Sequence, residues 1–494
     1  MFKLRNFNTK LNLIMNTILK IIFPIIILGS ICIFFATFFE FNIGTILFSF
    51  MLFISIFIGY KLINSNFSNK SKVYLIILIA FILRFLWLLN ANSIPTSDFK
   101  VMYDSATKFL NNDTSMFKGI EYIGRFPHLT IYVLYMALIQ YLFPIHNLLI
   151  MKCINLISGL LSVFIIYLLA NKLFKQSKKA LYCLLIATTF PPLITYTSVF
   201  CSENLAIPFY LLSIYIFLSY KDKKFIFLIV SALLLAIGNL FRMIAIVVLI
   251  AYTLYIIFYF KNNILEKITS VICLIVPYII LLILCSNLLQ SLNITQYPLW
   301  KGREPNATSI LKGTNMDNLG MWNEEDATLI ETLIQEDVSY ETIEAECKEK
   351  IKNRLINSPI KLIPFYALKI GSQWGFGDCC GALWSQKDLS DDQIIFKTAQ
   401  AGTPSFQAMY IIILIGVYIG LFDKESHKQS KNINLLYLIL CGYIATYLLI
   451  ENQGRYEYII SWILIPLSVT GLQKTKKILI RKLSKRLSFK LICS

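Results

Sequence analysis

The chain is crossed again and again by apolar runs about as long as a bilayer is thick, and this limits what it can fold into. Runs at about 12–38, 43–62, 73–91, 147–170, 180–198, 204–220, 225–241, 243–260, 268–287, 405–422, 433–450 and 457–473 reach or approach the roughly 18 to 20 residues that a helix needs to span hydrocarbon. A backbone inside lipid must satisfy its own hydrogen bonds, so such runs become helices. With 57% hydrophobic and 15% charged residues, a soluble multidomain protein is excluded. The expected fold class is an all-α polytopic integral membrane protein, a bundle of about 12 transmembrane helices with one large extracytoplasmic loop region.

Charge orients this bundle. The net charge of +18 would suit a nucleic-acid partner in a soluble protein, but here it is concentrated in short loops and tails. Lys61, Lys70 and Lys72 follow the second run. Lys172, Lys175, Lys178 and Lys179, then Lys221, Lys223 and Lys224, then Lys261 and Lys267, fall in alternate later loops. Lys424, Lys428 and Lys431 separate two late runs, and Lys474, Lys476, Lys477, Arg481, Lys482, Lys485 and Arg486 make a basic tail. Residues 288–404, by contrast, hold 16 acidic residues against 11 basic ones, a net of −5. Short basic loops stay inside, so both termini are expected in the cytoplasm and 288–404 outside. Nucleic acid is not an expected partner. The first run follows Lys3, Arg5, Lys10 and Lys20 and has no small-residue cleavage site after Phe34-Phe35, so it reads as a retained span.

Two apolar segments do not fit the alternation: 127–143, and 360–376 with Lys361, Lys369 and Trp374. They are expected to lie at the outer interface or dip partly into it. The resulting plan has N-terminal spans over 1–92, a first outer loop with interfacial helices over 93–146, and a transmembrane core over 147–287. The large outer loop covers 288–404, and C-terminal spans with the basic tail cover 405–494. A polar helical stretch is expected over 324–354. Most of the 11 cysteines lie in apolar runs and act as small hydrophobes. Cys347, Cys379 and Cys380 lie in the outer loop, where a disulfide is an open choice.

The candidates for chemistry are polar groups at the outer ends of spans. Asp98 follows Pro95-Thr96-Ser97 and opens an expected helix over 99–110. Two readings of it stand open: helix capping, for which Ser and Asp are preferred, and a carboxylate placed to accept a proton from an incoming hydroxyl. Arg125-Phe126-Pro127-His128 lies in the same outer loop, Ser202-Glu203-Asn204 at a hairpin tip, and Asn239 with Arg242 at the next outer turn. Their plain structural readings are an interfacial anchor, a helix cap and a snorkelling arginine. The last outer loop adds Glu451-Asn452-Gln453-Gly454-Arg455-Tyr456. Ionisable groups at membrane depth are costly and usually functional, so their recurrence on one face points to a shared cavity.

In the order and side of these patches the chain resembles the GT-C superfamily of polytopic glycosyltransferases. The likeness is to the family that includes protein O-mannosyltransferases and bacterial aminoarabinose transferases. It rests on Arg84 ahead of Ser97-Asp98 and Tyr103, on Pro127-His128, on Ser202-Glu203 and on Asn239 with Arg242. Pro359 to Trp374, Glu451 with Arg455-Tyr456, and Pro466 complete it. The resemblance implies an inverting transfer of a sugar from a polyprenyl-phosphate donor to a glycan, lipid or protein acceptor at the extracytoplasmic face of the cell membrane. Asp98 would be the base. Arg455 would hold the leaving phosphate, with Arg242 or Arg125 as a second clamp, Glu451 orienting an arginine, and Tyr456 and Tyr103 donating hydrogen bonds. Arg84, His128 and Glu203 would be supporting residues. Two departures stand out. Ser97 replaces the second acid beside the catalytic one, and the double proline is reduced to Pro127-His128, which bears on acceptor class and leaves a divalent metal an open cofactor. The competing classes are a polysaccharide polymerase or ligase led by arginines, and a flippase or transporter. A transporter would be expected to carry charged or glycine-broken helices at mid-membrane and related halves, and no such repeat shows.

Overall fold

The computed structural model describes residues 2–39, 42–221, 224–423 and 431–492. Lys223, Lys424 and Lys428 lie outside the described residues, as do the side chains of Lys3, Arg5, Arg481, Lys482, Lys485 and Arg486. Among the described residues the fold is helical, with no strand and two isolated bridges, Ala91 with Ile394 and Ala399 with Gly402. Three long helices open it: α1 (Phe2–Phe38), α2 (Ile43–Ile63) and α3 (Asn69–Asn90). Asn42 starts α2 through a reciprocal capping box with Thr45, and Ser68 caps α3; each cap satisfies a backbone N–H that the first helical turn leaves free. Short helices α4 (Asp98–Leu110), α5 (Tyr122–Arg125) and α6 (Thr130–Leu142) follow.

The central bundle is α7 (Asn147–Phe174), α8 (Ser177–Thr189), α9 (Pro191–Thr195), α10 (Glu203–Phe217), α11 (Ile226–Phe241), α12 (Ile246–Tyr259) and α13 (Ile264–Ser291). The polar segment then holds α14 (Ala307–Gly313), α15 (Glu324–Gln335), α16 (Tyr340–Asn357), α17 (Pro359–Gln373) and α18 (Gly381–Gln386). The chain closes with α19 (Pro404–Gly420), α20 (Ile433–Leu449), α21 (Tyr458–Ser461) and α22 (Leu464–Ile492).

Residues 8–38 of α1, and α2, α3, α7 and α13, are long and apolar enough to cross a bilayer, and six further apolar helices are shorter, at 10–17 residues. The helices turn large apolar side chains outward, Phe53 at 67% exposure and Leu13 at 66% among them, which only a lipid surround tolerates on this scale. The chain is a multi-pass membrane protein.

The expected span over 180–198 is bent by 54° between α8 and the segment 191–198. Pro191 and Pro192 lack the N–H groups that would reach back to the carbonyls of Ala187 and Thr188. Arg84 takes their place: its Nη1 donates to the Thr188 carbonyl at 3.2 Å and to Ala80 at 3.0 Å, and its Nη2 donates to Ala187 at 3.3 Å. The expected polar helix over 324–354 is also broken, at Asp337 with φ 55°, before Ser339 caps α16. The two halves close a small core of Leu311, Ile330, Ile334, Ile343 and Cys347, stitched by Arg354 on the buried Asp326 at 2.7 Å. Cys347, Cys379 and Cys380 are free thiols. Helix α17 lies against α1, where a Cβ added to Gly29 would stand 2.2 Å from the Gly371 carbonyl, while Ile360 and Ile363 face outward at 89% and 81% exposure.

Candidate functional site

Asp98 is the first residue of α4. Ser97 before it takes φ 51° and ψ −130° and makes no side-chain cap, a backbone region that a residue with a Cβ rarely enters and that usually persists where the surroundings enforce it. The Asp98 carboxylate is engaged across the fold: its Oδ2 accepts from Nη2 of Arg455 at 2.6 Å. The helix N-terminus behind it adds partial positive charge that favours the anion. In this pair the arginine is held inside, at 12% side-chain exposure, and the carboxylate is open, at 36%.

Arg455 sits in a cage. Its Cζ lies 5.2 Å from the centre of the Phe99 ring, 5.0 Å from Trp384 and 5.8 Å from Tyr456, and its Nε donates to Gln453. Burial opposes the guanidinium charge, but Tyr456 and Asp98 outweigh it and the proton is held more tightly than usual. Tyr122 of α5 also meets Asp98, and burial first, the Asp98 charge second, raise its hydroxyl above the ordinary range. This tyrosine therefore stays a neutral donor.

A second ion pair stands alongside. Glu203 opens α10, and its Oε1 lies 3.2 Å from Nε of Arg242, whose Cζ is 5.3 Å from the centre of the Tyr456 ring. Tyr210 donates to the Arg242 carbonyl at 2.7 Å, and Asn239 accepts from the Ala245 N–H at 3.0 Å, fixing the turn. Burial pushes the Tyr456 hydroxyl up to about 12, with Glu451 adding to it. The Glu451 carboxyl is itself raised by burial, against the charges of Lys312 and Arg455. Burial, then Arg242, pushes His128 down to about 4, so it is neutral near pH 7.

The remaining expected residues are placed differently. Arg125 donates through Nε at 3.0 Å and Nη2 at 2.6 Å to one oxygen of Glu304, whose other oxygen accepts from Thr308 at 2.7 Å; it ties the end of α5 to the start of the polar segment just before α14. Tyr103 donates to Asn147 at 2.8 Å, joining α4 to α7. Arg84 is fully buried in the α8–α9 break, where its two Nη groups serve backbone carbonyls. Sequence reasoning missed Phe99, Tyr122, Trp384 and Glu304. Phe99 beside Asp98 was a legible hint; Trp384 carried no local pattern.

A divalent metal was left open by the sequence. Among the described residues no group of three His, Cys, Asp or Glu side chains could hold one by itself, and Asp98 faces a guanidinium.

Residues 129–289 match the family model described as dolichyl-phosphate-mannose-protein mannosyltransferase, and the resemblance to GT-C glycosyltransferases is borne out over that segment. Among curated proteins no sequence matches the chain. The structure is similar to the archaeal oligosaccharyltransferase AglB from Archaeoglobus fulgidus, solved in complex with an inhibitory peptide and a dolichol-phosphate, at 12% identity and TM-score 0.45, covering 84% of this chain and 52% of that one. It is also similar to ArnT from Cupriavidus metallidurans bound to undecaprenyl phosphate, at 13% identity and TM-score 0.29, covering 82% of this chain and 78% of that one. This chain thus spans about half the length of AglB.

Proposed function

We propose that this membrane chain, similar to GT-C glycosyltransferases, moves a sugar from a polyprenyl-phosphate donor to a cell-envelope glycan, lipid or protein at the extracytoplasmic face, with inversion at the anomeric carbon. The observation that carries the reading is the Asp98–Arg455 pair, an open carboxylate on a caged arginine. The donor phosphate takes over the Arg455 guanidinium, whose planar fork suits phosphate oxygens. Asp98, released from that contact, accepts the proton of the acceptor hydroxyl. The acceptor oxygen then attacks the anomeric carbon from the face opposite the phosphate, and the bond from that carbon to the phosphate oxygen breaks. Arg455, with Arg242 behind Tyr456, holds the charge of the departing polyprenyl phosphate. Preorganised donors of this kind lower the barrier by on the order of 3 to 4 kcal/mol each. Tyr122 keeps Asp98 oriented.

The test is mass spectrometry of envelope glycans and glycolipids from cells with the intact gene, with the gene deleted, and with Asp98→Asn at matched expression. One sugar modification is expected to vanish in both altered strains, its mass giving sugar and acceptor. General-base loss typically costs about 10² to 10⁴ in rate. Full restoration by Asp98→Asn removes the base role and favours the arginine-led polymerase or ligase. No change on deletion favours a transporter.

A further inference from the structure

A concavity lies in the polar segment, and Asp98 is not among its lining residues. It is a cleft of ≈ 500 Å³ bordered by Tyr297, Lys301, Arg303, Asp337 and Tyr340, a size suited to one or two sugar rings. The segment around it is acidic, with 16 acids against 11 bases over residues 288–404, so two cations two positions apart run against the local charge.

Arg303 is 9% exposed and only partly satisfied. Its Nη2 donates to Asp337 at 3.1 Å and to the Val338 carbonyl at 2.7 Å, while Nε and Nη1 bond to none of the described residues and are open to water. A guanidinium that keeps donors free on a cleft wall can offer them to the oxygens of an anion. Its partner Asp337 is 94% exposed, a weak competitor in water. Lys301 Nζ stands 4.4 Å from the centre of the Tyr340 ring, so cation and aromatic face are presented together. Tyr297 and Tyr340 line the same cleft, and the two cations offer charge to a carboxylate or phosphate.

The cleft is joined to the candidate site by backbone. The Arg303 N–H donates to the Gly124 carbonyl at 3.2 Å, and a Cβ on Gly302 would stand 2.1 Å from the Arg125 carbonyl. Glu304 holds Arg125, and Tyr122 of the same short helix meets Asp98.

We infer that this cleft is an acceptor subsite for an anionic saccharide, a sugar bearing carboxylate or phosphate, with Arg303 and Lys301 holding the anion and the two tyrosines the ring. The inference deepens the transferase reading and rests on it for the word acceptor. The test uses the full chain in lipid nanodiscs, with affinities measured by thermophoresis for tetragalacturonate, mannose 6-phosphate, neutral maltotetraose and inorganic phosphate. At least one anionic saccharide is expected to bind tenfold or more tightly than maltotetraose, and to lose tenfold or more in Arg303→Gln and in Lys301→Gln; the exposed lysine serves as the variant that leaves the fold intact. Absence of anionic-saccharide binding at millimolar concentration, or equal binding by the variants, overturns the inference. Inorganic phosphate binding as tightly, and lost in the same variants, overturns the saccharide and leaves a bare anion site. If binding behaves as expected while Asp98→Asn cells keep every envelope glycan, the transferase reading fails and the cleft survives as a saccharide site. Loss of glycan in those cells with unaltered binding in the variants sinks the cleft alone.

Discussion

At the residue scale, the site depends on what surrounds each charge. Arg455 is fixed by three aromatic rings and by Asp98, and a lysine would keep the charge but lose the fork and the flat face. Arg455→Lys is therefore expected to lower the transfer rate by about 10²-fold or more, read from initial rates with a synthetic polyprenyl-phosphate sugar. Wild-type rates would remove it from the phosphate role. His128 supplies a pH dependence. Burial, then Arg242, holds it at about 4, against about 6.5 in an unfolded chain. Between those values the unfolded state binds a proton that the native state refuses, so stability falls as pH drops from about 6.5 to about 4 and levels off below. Melting temperatures across that window should show the slope, and His128→Asn should flatten it; an unchanged slope would assign it to other groups.

At the element scale, two breaks do what unbroken helices could not. The Pro191-Pro192 break turns the chain after α8, and Arg84 satisfies the carbonyls it strands. Arg84→Met leaves the carbonyls of Ala187 and Thr188 without donors in an apolar interior, a cost of about 1–3 kcal/mol for each unmet group. The expected outcome is a lower melting temperature of the detergent-solubilised protein, and an unchanged one would mean that other donors replace the arginine. The second break, at Asp337, lets α15 and α16 both pack on α14 and leaves Asp337 beside the Arg303 cleft.

At the scale of the whole molecule, the buried amine of Lys369 is one of the ties that fasten the polar segment to the bundle. Lys369 Nζ donates to the carbonyls of Gly313 at 2.6 Å, Leu448 at 2.9 Å and Ile450 at 2.7 Å. These are carbonyls at the ends of α14 and α20, which helix geometry leaves without partners. The loop carrying Arg455 begins just after Ile450, so the same contact sets its height against α4. Lys369→Met is expected to speed proteolysis of the segment 300–357 several-fold while the bundle survives, followed on gels in nanodiscs. Equal cleavage rates would show that Asn452 and the other loop contacts suffice.

The sequence by itself determined the membrane class, the run of apolar helices and the polar patches at their ends. These follow from local quantities: the length of an apolar run, the sign of a loop's charge, a cap such as Asn42 or Ser68. It also singled out Asp98 and Arg455, because charge next to an apolar span is legible without a partner. Only the tertiary structure decided who faces whom. Asp98 and Arg455 are 357 positions apart, and no local spacing encodes their 2.6 Å contact. Arg84 shows the limit from the other side. In sequence it is one more arginine near a span end, and its task is set by two prolines more than a hundred positions away that remove the N–H groups its guanidinium replaces. Trp384 and Tyr122 were silent for the same reason: an aromatic side chain declares no role until packing lays it on a charge.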